Sequence, residues 1–139
     1  MEKETEKIEV VAGVLLEKNN KFLLVKEGRG PSEGLWNWPA GKVDKGDNIK
    51  QTAIKEAKEE SGFNVSLVRE IGIFHEDISK PVKHLFYAEI IGGKLDFPVG
   101  EITDANWFTL EEIKKMDNLR GVWILDGIEI FNETKIYEN

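Results

Sequence analysis

Apolar positions along this chain switch between two spacings, and the switch marks its elements. Residues 7–18 hold Val10, Val11, Val14, Leu15 and Leu16, a β-branched run that predicts a strand. Asn19-Asn20 is a turn signal, and residues 21–27 predict a second strand, so the two read as a hairpin. Residues 28–34, rich in glycine and carrying Pro31, predict a loop; residues 36–38 predict a short strand, and residues 39–46 the loop that leads into a helix. That helix is expected over residues 48–61, with Asp47 as N-cap and Gly62 as C-terminal cap. Two longer strands follow at residues 64–78 and 82–91, separated by Ser79-Lys80-Pro81, and a last strand at residues 105–108. Thr109 and Glu112 have the spacing of a capping box, which opens a short helix to about Met116. Residues 118–131 are expected to form a final helix capped by Asn118, although periodicity alone also fits a strand over Val122–Leu125. This order of strands and helices predicts a mixed β-sheet lying between helices, an α/β/α sandwich.

The helix over residues 48–61 carries the chemistry. A helix turns about 100° per residue, so Glu56, Glu59 and Glu60, three and four apart, project to the same side. With Ile49 set at zero, Ala53 and Ala57 follow at about 40° and 80°, an apolar stripe; Glu60 falls at about 20° and Glu56 at about 340°. Lys50, Gln51, Lys55 and Lys58 fill the opposite arc. An acidic run usually means a solvated face, but here lysines already occupy the wet side and the acids border the stripe that faces the core. A charge is costly there without a partner. Neighbouring carboxylates also raise one another's pKa unless a cation lies between them, and a hard divalent ion with oxygen ligands, Mg²⁺ or Mn²⁺, suits them.

Composition narrows the partners. The chain has 139 residues, a length that suits one domain with one core. Its net charge of −7 argues against general nucleic-acid binding, whose footprint is basic, but not against a small phosphorylated molecule. It holds no cysteine, which removes disulfides and thiolate metal sites and fits a reducing cytoplasm. No apolar run approaches the roughly 18 residues of a membrane span. Residues 1–7 are polar and read as a flexible tail without signal-peptide character, leaving residues 8–139 as the single domain.

From Gly41 the chain reads five residues, Asp47, seven residues, then Lys55-Glu56-Ala57-Lys58-Glu59-Glu60-Ser61-Gly62-Phe63. This resembles the Nudix box, the signature of the Nudix (MutT-like) hydrolases. Gly41, Glu56, Glu59, Glu60 and Gly62 fall in register, a coincidence of order one in a million per starting position. Residues 35–41 resemble the family's run into the box, with Ala40 where a second glycine is common, and residues 101–108 resemble a later segment of the fold. The likeness covers about residues 8–131. It implies the Nudix α/β/α sandwich and makes residues 118–131 a helix. It also implies a Mg²⁺-dependent hydrolase that cleaves a phosphoanhydride bond of a nucleoside di- or triphosphate or a related organic pyrophosphate, as a monomer or homodimer. The lead-in Trp36-Asn37-Trp38-Pro39-Ala40-Gly41 and Asn118-Leu119-Arg120 look similar to the small, substrate-tolerant Nudix phosphatases. Pyrophosphatases for oxidised nucleotides, ADP-ribose or dinucleoside polyphosphates, and a non-catalytic nucleotide-binding module, are the alternatives.

The same resemblance distributes roles. Glu59 and Glu60 are expected metal ligands; Glu56 ligates, orients the water or acts as general base; the Gly41 carbonyl is a further ligand. Glu101 is the candidate carboxylate from outside the box, with Asp104 its rival and His75 and Glu76 behind them. The box usually has Glu at the Asp47 position and Arg at the Lys55 position, a pair that braces the loop; both replacements keep the charge sign but lose reach and the bidentate fork. Lys26, Arg29 and Lys42 are cations expected near the box, Arg29 being the best suited to phosphate, although any one of nineteen basic residues is ordinarily solvated charge. Trp38, Phe74 and Trp123 are candidates to stack on a substrate ring, against the usual role of such residues in the core. Trp36 and Trp107 read as structural, and His84 as a packing or surface residue.

Overall fold

The computed structural model describes residues 8–135. The expected tail, residues 1–7, lies outside them. Eight strands and three α-helices follow one another as β1 (Val10–Leu15), β2 (Glu17–Lys18), β3 (Lys21–Glu27), β4 (Trp36–Asn37), β5 (Ala40–Lys42), α1 (Ile49–Ser61), β6 (Phe63–Phe74), β7 (Val82–Gly93), β8 (Ile102–Thr109), α2 (Leu110–Lys114) and α3 (Trp123–Thr134). One sheet has the order β5-β1-β7-β6, with β1 and β7 parallel and the other pairs antiparallel. The second pairs β3 with β2, β4 and β8.

The expected hairpin forms only at its tip. Glu17 pairs with Phe22 and Lys18 with Lys21, across Asn19 and Asn20 at φ 53° and 65°. The apolar part of the run, β1, instead takes a central place between β5 and β7. Burial explains the choice: Ala12 and Val14 point into one core cluster and Leu15 into the other, so β1 needs cover on both faces. The chain changes sheet at Leu16, which is fully buried.

Period-two alternation assigns side chains to the two cores. Leu23, Val25, Phe86 and Ala88 join Ala53 and Ala57 of α1 in one cluster. Phe22, Leu24 and Leu85 join Ile113 of α2 and Ile124, Ile128 and Phe131 of α3 in the other. The result is the mixed-sheet α/β/α sandwich.

Several boundaries differ from expectation. Asn48, not Asp47, caps α1: its Oδ1 accepts from the Gln51 N–H at 3.1 Å, while the Asp47 N–H closes a turn on the Asp44 carbonyl. Gly62 does cap the other end, at φ 85°, a conformation glycine adopts without Cβ strain. Strand β6 stops at Phe74; Asp77 then accepts from the Ser79 N–H and pins a turn where a strand was expected. Strand β8 begins earlier, at Ile102. The Thr109–Glu112 capping box forms, and α2 ends at Lys114. The last element is a helix, but it starts at Trp123. Asn118 does not cap it; its side chain donates to the Gly34 carbonyl and its own carbonyl accepts from the Trp36 N–H, tying the approach to α3 onto β4.

Candidate active site

Helix α1 lays Ala53, Ala57 and Ser61 into the core and leaves Lys50, Lys55 and Lys58 exposed, as its sequence pattern requires. This rotation turns Glu56 and Glu60 toward β5. The Glu60 Oε1 accepts from the Ala40 N–H at 3.0 Å. Glu56 lies flat against Gly41, where any Cβ would overlap its carboxyl group. Glycine at 41 is therefore a requirement of close approach.

The electrostatics are those of crowded acids. Burial pushes the Glu60 carboxyl well above the ordinary carboxylate range; the Ala40 N–H opposes this, while Glu56, Glu27 and Glu101 add repulsion. Burial also raises Glu56, followed by repulsion from Glu59; Lys55 opposes, and Glu101 adds to the rise. Glu59 is exposed and bonds toward Glu56. Among the described residues no three acidic or imidazole side chains already converge to grip an ion. The donor set is nonetheless all oxygen, with Glu60 and Glu56 drawn partly out of solvent, and its chemistry fits a hard divalent cation.

A cleft opens beside this cluster on the α3 side of the sheet. Its acidic end is formed by Glu27, Glu60 and Gly41. Across its floor one rung of the sheet aligns Lys42 with Val11, Val11 with Lys83, and Lys83 with Phe74. All four line the cleft, together with Trp38, His84, Arg120 and Trp123.

The expected site residues divide accordingly. Glu56 lies against Gly41 and Glu60 against Ala40, with Glu59 next to Glu56; Glu101, in the turn before β8, is near enough to repel Glu56 and Glu60 but is itself paired with Arg29. Asp104 instead binds its neighbouring Ala105 N–H, and Glu76 pairs with Lys83 at 3.7 Å, away from the box. Arg29 is held by Glu101 at 2.9 Å and is largely exposed; Lys42 lines the cleft and pairs with Glu9 at 3.0 Å. Trp38, Phe74 and Trp123 all line the cleft, with Trp38 and Trp123 also buried in the core, so they serve both roles. Trp36 packs edge-on against Phe108, and Trp107 against Phe63. His84 bonds Glu70 at 2.7 Å through Nδ1 and borders the cleft as well. The expected Asp47–Lys55 brace is absent: Asp47 sits in its turn, and Lys55 acts instead as the cation beside Glu56.

Sequence reading missed Glu27, Lys83 and Arg120. Arg120 Nη1 pairs with Glu27 Oε2 at 2.7 Å, and Lys83 Nζ lies 4.0 Å above the Trp123 ring. A charged residue at Lys83, in period-two register with the buried Leu85 on β7, was the available signal.

Fold and site together define a class: an α/β/α sandwich whose carboxylate-bearing helix end faces a cleft lined by Lys42, Lys83 and Arg120. The family follows from comparison. Residues 7–126 match the NUDIX domain, and the chain belongs to the Nudix hydrolase family. It is 32% identical over 94 residues to a putative 8-oxo-dGTP diphosphatase of Bacillus subtilis (strain 168), covering 68% of this chain and 61% of that protein. It is 28% identical over 106 residues to an ADP-ribose pyrophosphatase of Methanocaldococcus jannaschii, covering 73% and 62%. The chain thus spans less than two thirds of the length of these relatives. A NUDIX hydrolase from Nitrosomonas europaea superposes with a TM-score of 0.81 at 27% identity, over 93% of this chain and 91% of that one. Divalent metal ions are general in the family. Among the described residues no helix is long and apolar enough to cross a membrane.

Proposed function

We propose that this protein hydrolyses a phosphoanhydride bond of a nucleoside di- or triphosphate, or of a related small organic pyrophosphate, with Mg²⁺ or Mn²⁺ held by Glu56, Glu59, Glu60, Glu101 and the Gly41 carbonyl. The observation that carries this reading is the desolvated Glu60 carboxylate, fixed to the Ala40 N–H and ringed by further acids at the mouth of a cleft. Pyrophosphates resist attack because their anionic oxygens repel a nucleophile; a divalent ion supplies charge neutralisation and a more acidic water. The chain does the rest. The Ala40 N–H fixes one Glu60 oxygen and leaves the other free. Glu56, half-buried against Gly41 and beside Glu59, is the candidate to orient the attacking water or to take its proton if it is not itself a ligand. Lys42 and Arg120 bring positive charge to an anionic substrate in the cleft.

The names of the relatives point to oxidised guanine nucleotides and to ADP-ribose, and both belong in the first test. That test is hydrolysis of nucleoside di- and triphosphates, oxidised dGTP, ADP-ribose, dinucleoside polyphosphates and a thiamine-precursor pyrophosphate, with and without Mg²⁺. Phosphorus NMR names the bond cut. Metal-dependent turnover of any of these compounds, lost in Glu59→Gln, supports the reading; no turnover of any of them favours the binding-module alternative.

A further inference from the structure

The inner end of the cleft is a site of donors. Lys83 begins β7 on the central rung of the sheet, and its side chain is only 11% exposed. Its ammonium is held in place by the Trp123 face at 4.0 Å and faces Glu76 at 3.7 Å, beyond a good hydrogen bond. The Trp38 Nε1–H is also without a hydrogen-bond partner, but it is buried beside Gly127 of α3 and not open to the cleft. Apart from Glu76, the side-chain acceptors nearest Lys83 already have partners. Asn37 Oδ1 accepts from both the Trp38 N–H and the Trp123 Nε1–H, Glu27 Oε2 is paired with Arg120, and His84 Nδ1 is turned to Glu70. The other side chains there, Val11, Phe74, Pro81 and Leu85, offer neither donor nor acceptor. An ammonium has three donors and no acceptor.

We propose that Lys83 is a specificity-determining residue that donates to a keto oxygen on the base of the substrate. The site then takes nucleotides with a keto group on the pairing edge, guanine O6 or uracil O4, in preference to those with an amino group there, adenine N6 or cytosine N4. An amino group would set donor against donor in a partly desolvated pocket and leave both unpaired. Phe74 and Trp123 supply the apolar walls for the ring. This inference rests on the nucleotide-hydrolase reading above.

The test is binding without metal. Trp38 and Trp123 line the cleft, so quenching of tryptophan fluorescence reports occupancy by GMP, UMP, AMP and CMP. The wild-type protein binds GMP and UMP about tenfold more tightly than AMP and CMP, the worth of one charge-assisted hydrogen bond. Lys83→Met weakens GMP and UMP by that factor and leaves AMP and CMP unchanged. Lys83→Gln, which can donate or accept, narrows the preference by admitting the amino bases, and it carries the test if the methionine variant fails to fold. Equal weakening of all four ligands, making Lys83 a phosphate countercharge, overturns the proposal. So does a wild-type protein with no preference or no binding, or a preference that survives in both variants. A keto preference in a protein that hydrolyses no pyrophosphate would sink the hydrolase reading and leave the subsite standing; turnover with no base preference would do the reverse.

Discussion

At one end of the cleft, Glu60, Glu56 and Glu27 crowd negative charge around a single backbone N–H; at the other, Lys83 and Arg120 bring positive charge beneath Trp123 and Phe74. The two ends handle desolvation differently. Lys83 keeps its charge near an aromatic face and a distant carboxylate, and burial lowers its pKa against the pull of Glu76. Burial raises the pKa of Glu60, the Ala40 N–H opposes the rise, and Glu56, Glu27 and Glu101 add repulsion. Lys83 has partial compensation from Trp123 and Glu76, and Glu60 from one backbone N–H. The difference in sign supports the proposed division of tasks, a cation at one end and a substrate group with oxygen acceptors at the other.

The largest effect is expected where compensation is poorest. Glu59→Gln removes one exposed carboxylate from the acidic end, and metal-dependent turnover should fall by about a hundredfold or more. Circular dichroism and melting temperature should hardly move, because Glu59 is solvent-exposed and outside the core. Near-normal turnover would mean that the acidic end is not the catalytic one. Gly41→Ala is the next test. Its backbone lies outside the left-handed region, so alanine fits the chain locally, but its Cβ would drive the Glu56 carboxyl from its place. Metal affinity measured by calorimetry should drop roughly tenfold to a hundredfold. An unchanged affinity would remove Glu56 and Gly41 from the ion's surroundings.

The two ends also differ in how far they can be read from sequence. The acidic end is local: Gly41, Glu56, Glu59 and Glu60 lie within one loop and one helix, and helical geometry alone brings the acids together. Within that same segment the loop boundary was less legible: the Asp47 N–H closes a turn on Asp44 and Asn48 takes the helix cap. The basic end is assembled by topology. Lys83 meets Val11 and Lys42 only because β1 leaves its hairpin and runs parallel to β7. Arg120 reaches Glu27 only because the segment before α3 is tied to β4 through Asn118 and Trp36. The hairpin reading hid the first of these arrangements, and the early helix start hid the second.

Arg120 joins the two ends, and a smaller effect is expected there. Arg120→Ala frees the Glu27 carboxylate to add its charge to that of Glu60. The pair is partly exposed, with side chains 36% and 25% accessible, so its direct worth is about 1 kcal/mol or less. A double-mutant cycle with Glu27→Ala, read by denaturant unfolding, should return a coupling of that size. A coupling of several kcal/mol would mean that the two ends are one network rather than two compensated halves.

The smallest effect, a shift in melting temperature, tests the contrast most directly. The Glu60 pKa is raised in the folded, metal-free protein. A carboxyl group of this kind contributes its full stability below its unfolded pKa, near 4.3, and loses it as pH rises toward the folded value, because the unfolded state releases the proton first. Glu112 runs the other way: the Thr109 N–H lowers its pKa, and its contribution is lost as pH falls. In chelator, therefore, Glu60 should depress the melting temperature as pH rises above its unfolded pKa, and Glu60→Gln should flatten that part of the profile. A divalent ion binds the ionised carboxylates and stabilises only the folded state, so Mg²⁺ should raise the melting temperature more at pH 8 than at pH 5.5. An equal gain at both values, or a Glu60→Gln profile identical to wild type, would mean that the acidic end is compensated within the chain after all. The division of labour along the cleft would then have to be drawn elsewhere.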